Sequence, residues 1–157
     1  MGWKLTREDR ANEALPLLET ALRASVQADS LEDTVFALGN QGWAYLFTNN
    51  HDAARAAFAE SLQLCVGHNF QHGAGTGFMG LAALAARDID PERATQLHGV
   101  ARTMGYLGSE TEPVTNRLEK QYFAPLRARY GDSRWRDAER TGAALSYEDA
   151  ITYVLQT

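Results

Sequence analysis

The sequence has a single cysteine, Cys65, so no intramolecular disulfide can form, and the chain is expected to work in a reducing cytoplasm. It is poor in β-branched residues: 6 Val and 2 Ile stand against 25 Ala and 18 Leu. Ala and Leu lose little side-chain freedom in a helix, whereas β-branched residues favour strands, so an all-α fold is expected. No apolar run is long enough to span a bilayer, and Met1–Asp9 has no apolar core of a signal peptide, so no membrane contact is expected. Basic residues are also short: 15 Lys and Arg against 20 Asp and Glu give a net charge of −5. A duplex-binding surface needs clustered cations to displace counterions, so direct nucleic-acid contact is not expected. The one basic stretch, Arg127, Arg129, Arg134, Arg136 and Arg140, is interleaved with Asp132, Asp137 and Glu139 and reads as a solvated helix face. What remains is a chain of 157 residues, 45% hydrophobic and 22% charged, which fits one globular domain.

What the chain does have is an internal repeat. Gly2-Trp3 recurs 40 residues later as Gly42-Trp43. Ala14, Ala54 and Ala94 share the spacing, as do Leu18, Phe58 and His98, then Ala21, Ser61 and Ala101, and the pair Leu22 and Leu62. Small, large and small residues at these offsets share one helix face, where the small ones admit a neighbouring helix. The punctuation predicts helix pairs. Ser30 with Asp33 is a capping box opening a helix near 31–48, and Asn49-Asn50 breaks it. A second helix near 51–66 ends at Gly67 as its C-cap, followed by a helix near 71–87. Asp90-Pro91 opens another near 91–104, which stops at Gly105. The turn from 87 to 90 reads as two residues longer than its counterpart at 48–50. Beyond it, 109–113 reads as a loop. A helix near 114–130 should be kinked or broken by Pro125. Helices near 133–141 and 147–156 follow, the last opened by a capping box of Ser146 and Asp149. These boundaries divide the domain into helical repeats over 1–108 and capping helices over 109–157.

Gly42, Tyr45, Ala54, Phe58, Ser61 and Leu62 resemble the tetratricopeptide pattern of small, aromatic, Ala, aromatic, small and Leu positions. Gln41, Ala82 and His98 depart from it. The segments Asp90–Gly99 and Gly131–Ala150 resemble the last repeats of bacterial LuxR/AfsR-type signal-transduction ATPase transcriptional regulators. The resemblance implies a right-handed superhelix of antiparallel helix pairs whose first helices line a concave groove. In that register Asn40, Trp43 and Phe47 would face the groove from one repeat, Met79, Ala83 and Arg87 from the next, and Trp3 would lie beside Trp43. An exposed aromatic and methionine surface there would receive a protein segment or small effector; alternatively these side chains are ordinary inter-helix core. Family members that grip a peptide carboxylate place Lys and Asn where this chain has Gly39, Trp43 and Met79, which disfavours that ligand. Gly2-Trp3 aligns with the middle of a first helix, not its start. The first repeat is therefore expected to be truncated, and the chain to be the C-terminal part of a longer protein or to cover its open end by self-association.

Gly75-Thr76-Gly77-Phe78-Met79-Gly80 spells G-x-G-x-x-G, but lacks a preceding strand and a downstream acid, so close helix packing is expected. Cys65, His68 and His72 have ligand-like spacing, which leaves a small metal-binding protein or a Cys–His enzyme as the alternative. The acid pairs Glu32-Asp33 and Glu148-Asp149 sit in first helical turns, where they complement the helix dipole. Leu5-Thr6-Arg7-Glu8 faintly echoes the opening of a LuxR-type DNA-binding domain, without the second apolar helix such a domain needs. The expectation is a non-catalytic interaction module with no cofactor and with protein partners or upstream domains. A purely structural spacer is the blander alternative.

Overall fold

A computed structural model describes residues 1–106, 108 and 112–156. Helices α1 (Gly2–Arg7), α2 (Ala11–Gln27), α3 (Leu31–Phe47) and α4 (His51–Gly67) are followed by a 3-10 turn, Gln71–Gly73. The turn leads into α5 (Ala74–Arg87), and α6 (Pro91–Thr103) completes the repeats. Each helix packs on its neighbour in the chain, in the pairwise manner of a tetratricopeptide-like all-α fold, and among the described residues there is no strand.

The link between consecutive helices is short and recurs every 20 residues. Asp9, Asp29, Asn49, Asn69 and Ile89 all adopt left-handed backbone, with φ of 64°, 54°, 62°, 52° and 58°. At each, the following N–H turns back to a carbonyl five residues earlier: Ser30 to Ser25 at 3.0 Å, Asn50 to Tyr45 at 2.9 Å, Phe70 to Cys65 at 2.8 Å and Asp90 to Ala85 at 3.0 Å. This is the Schellman closure, which satisfies the last carbonyls of the helix. The same residue then starts the next helix at three of the links. Ser30 Oγ accepts from Asp33 N–H (3.4 Å), Asn50 Oδ1 from Ala53 N–H (3.4 Å) and Asp90 Oδ1 from Arg93 N–H (3.1 Å). Three expectations change. Gly67 is the last helical residue with open space beside it, and the left-handed position falls on Asn69. The turn after Arg87 matches its counterpart after Phe47 in length. The helix expected from 71 opens as a 3-10 turn.

Small residues of the repeat receive large ones. A Cβ on Gly42 or Gly80 would meet the Phe58 ring from two neighbouring helices, and Trp43 meets the same ring edge-on at 4.8 Å. In the G-x-G-x-x-G segment each glycine lies against a different partner: Gly75 against the backbone of Met104–Tyr106, Gly77 against Leu62, Gly80 against Phe58. The motif therefore serves close packing.

The C-terminal part is α7 (Pro113–Leu118), a π-helical turn (Glu119–Phe123), α8 (Ala124–Tyr130), α9 (Asp132–Ala143) and α10 (Tyr147–Leu155). Residues 109–111 of the expected loop lie outside the described residues. Where Pro125 is expected to disturb the helix, a π turn precedes it, in which Ala124 N–H donates to the Glu119 carbonyl. Pro125 has no N–H and crowds the preceding turn, and a wider turn relieves both. Helix α9 lies against α6 at two glycines, since a Cβ on Gly99 would strike the Glu139 carbonyl and one on Gly142 the Gln96 carbonyl. Helix α10 is fastened by Arg93, whose guanidinium donates to the carbonyls of Tyr153 (3.4 Å) and Val154 (3.0 Å). The π turn packs on α5, and α7 reaches the first helix: Arg7 pairs with Glu112 at 3.1 Å and Arg117 with Asp9. Among the described residues no helix is long and apolar enough to cross a membrane.

Candidate functional site

The residues expected to line the groove divide into two groups. Trp43, Phe47, Met79 and Ala83 are buried. Trp43 stacks on Phe47 (ring centroids 6.4 Å apart, 17° between planes), and the Arg117 guanidinium lies 4.1 Å over the Phe47 ring. The expectation of a free aromatic and methionine surface is thus corrected for these four, which are inter-helix core. Trp3, Asn40 and Arg87 remain accessible. Arg7 sits 5.4 Å from the Trp3 ring, Asn40 Nδ2 donates to the Phe36 carbonyl at 2.9 Å, and Arg87 pairs with Asp88 at 2.8 Å. Sequence reasoning missed Arg117. Its partners Asp9 and Phe47 lie far away in the chain, and no local pattern announces such a contact.

A larger concavity, about 940 Å³, opens where α6 meets the C-terminal helices. Its floor is an ordered polar and aromatic cluster. Glu139 Oε1 accepts from His98 Nδ1 at 2.8 Å and lies 3.7 Å from Arg102. His98 is edge-on to Phe123 (4.9 Å) and Trp135 (5.8 Å). Arg127 pairs with Glu119 at 2.6 Å while covering Trp135 at 4.6 Å. The hydrogen bond from His98, aided by the charges of His98, Arg102 and Arg127, holds the Glu139 carboxyl below its usual range against the opposing effect of burial. His98 occupies the large position of the repeat and now has a reason to be polar. Its neighbour is the capping helix α9, which supplies a carboxylate. A second cavity of about 440 Å³ lies between α1 and α7, beside Arg7, Phe47, Val114 and Arg117.

Cys65, His68 and His72 do not converge. Cys65 is buried, and burial pushes its thiol up to about 11, the reverse of an activated nucleophile. His68 and His72 are exposed, the former with Nδ1 at 3.0 Å from the Leu64 carbonyl. Among the described residues no three His, Cys, Asp or Glu side chains are grouped to hold a metal ion, so the reading that gathered these three around a metal is set aside.

Residues 5–65 match the family model of the tetratricopeptide repeat. The match spans the end of α1 through most of α4, and the same 20-residue helix-and-turn unit continues through Ile89. No curated protein and no solved structure matches the chain. Repeat match and paired helices together give a tetratricopeptide-like helical module, a fold that suggests protein interaction.

Proposed function

We propose that the chain is a non-catalytic interaction module that docks a further helix pair on its N-terminal face, as the C-terminal part of a cytoplasmic bacterial regulator of the LuxR/AfsR type. One comparison within the molecule carries this reading. Positions related by 40 residues share a role, yet Trp3 is 41% exposed where Trp43 and Ala83 are 6% and 0%, and Leu17 is 42% exposed where Ala57 and Leu97 are 6% and 0%. The first helices of the second and third repeats, α3 and α5, pack on the repeat before them, and among the described residues α1 has no such neighbour. Repeat arrays gain their stability from such neighbour contacts, so an uncovered repeat face is a surface of the right shape for another repeat. In the isolated chain a second copy supplies it. The resemblance of Asp90–Gly99 and Gly131–Ala150 to the last repeats of regulators supports the wider placement, in which upstream domains respond to a protein segment or small effector at the accessible Asn40 and Arg87.

Light scattering across a concentration series tests the docking face. The expected result is a dimer that Trp3→Asp with Leu17→Asp returns to a monomer of unchanged helicity. A wild-type chain that stays monomeric at the highest concentrations overturns the reading. The genomic frame upstream of Met1 tests the placement, with an NTPase motif as the expected finding.

A further inference from the structure

The cleft between α6 and the C-terminal helices is cationic in an anionic protein. The whole chain carries −5. Four permanent cations border the cleft, Arg102, Lys120, Arg127 and Arg136, against the three carboxylates Glu119, Asp132 and Glu139. The carboxylates are largely spoken for. Glu119 is held by Arg127, and Glu139 by His98 and Arg102. Asp132 sits in the first turn of α9, where it complements the helix dipole. Lys120 and Arg136 are exposed and form no ion pair among the described residues. The charge left over for a ligand is therefore positive, and it comes from two elements facing one space, the π turn and α9.

We infer that this cleft binds an acidic segment of a protein partner, one in which carboxylates flank an apolar residue. The inference rests on the reading of the chain as an interaction module and names the chemistry of its partner. The walls suit both parts of such a segment. The half-buried ring of Tyr106 supplies the apolar surface, fixed by the bonded pair Tyr106 Oη and Thr115 Oγ1 (2.7 Å), over a floor in which Met79 and Trp135 are buried. Around them Lys120 and Arg136 offer point and fork donors to carboxylates. The floor is preorganised, because Arg127 is locked between Glu119 and Trp135 and His98 between Glu139 and two aromatic rings. The floor needs little ordering on binding, and the cost that remains is that of Lys120 and Arg136. A volume of about 940 Å³ exceeds what one side chain needs and admits several residues of an extended or turn-like segment.

Fluorescence anisotropy with a fluorescein-labelled Glu-Glu-Leu-Glu-Glu peptide tests the inference on the full chain. The peptide binds, binding weakens with added salt, and Lys120→Glu with Arg136→Glu lowers the affinity about tenfold or more. Arg23→Glu, a reversal on exposed α2 surface, leaves it unchanged. Both changed cleft side chains are exposed, and circular dichroism of that variant is expected to match wild type. Four outcomes overturn the inference: no binding, equal binding to the charge-reversed cleft, equal binding of a Lys-Lys-Leu-Lys-Lys peptide, or full competition by free glutamate at matched carboxylate concentration. The last would assign the site to a small carboxylate. None of them bears on the oligomeric state, so the docking face is judged separately.

Discussion

At the scale of single residues, the five left-handed link positions are not equal. Asp and Asn tolerate this backbone because their short polar side chains bond locally, whereas a β-branched side chain is strained there. Four of the five are Asp or Asn, and the fifth is Ile89, 61% exposed with φ of 58°. Ile89→Asn should therefore stabilise the protein by about 1 kcal/mol, read as a higher urea midpoint with an unchanged slope. If the variant is no more stable, the strain assigned to Ile89 is wrong. Cys65 gives a second residue-scale prediction. With its thiol pushed up to about 11 by burial, alkylation at pH 8 should be slow in the native chain and become fast only in denaturant. Legibility at this scale followed locality. Ser30 and Asp90 could be read as caps because the partner lies three residues away, whereas Asn50 reads in the sequence only as a break and caps α4 in the fold. Gly67 misled because glycine is the commonest left-handed residue, yet two residues on, Asn69 meets the need and Gly67 stays helical.

At the scale of elements, the decisive contact is α9 on α6. Gly99 and Gly142 let the two backbones touch, and no side-chain rotation can make room for a methyl group against a carbonyl. Gly142→Ala should cost about 1–3 kcal/mol by forcing the helices apart. Its signature is loss of α9 docking, seen as increased exposure of Trp135 fluorescence to quencher; unchanged quenching would contradict the packing described. The same interface carries a pH dependence. The folded-state carboxyl of Glu139 titrates below its usual range, so its contribution is in place above the ordinary carboxylate range near neutral pH and is lost as pH falls through the depressed value. Thermal melts from pH 7 to pH 3 should show this loss, and Glu139→Gln should remove part of it by lowering the neutral-pH stability. Helices α3, α4 and α6 were legible to within a residue or so because their caps are local. An irregularity at Pro125 was legible too, though its form as a π turn depends on how the carbonyls around it re-pair.

At the scale of the whole molecule, the repeats explain one dimension and α7 adds another. A repeat array is held by neighbour contacts alone, so its end is free to fray. Helix α1 is six residues long, too short to persist without support. Arg117 supplies that support from the far side of the chain, lying over Phe47 and pairing with Asp9 just beyond α1. The 40-residue period made the repeats visible in the sequence, but a bridge between residue 117 and residues 9 and 47 has no period and no motif, so it appears only in the fold. The Asp9 carboxylate is largely solvated and adds little, which leaves the stacked guanidinium as the main term, about 1 kcal/mol. Arg117→Met keeps the apolar stem and removes the charge and its fork. Hydrogen exchange of the variant should then speed up in α1 and at the α2 start, while α6 and α9 keep wild-type protection. Uniform acceleration along the chain would show instead that Arg117 holds the core together as a single cooperative unit and is no tether for the first helix.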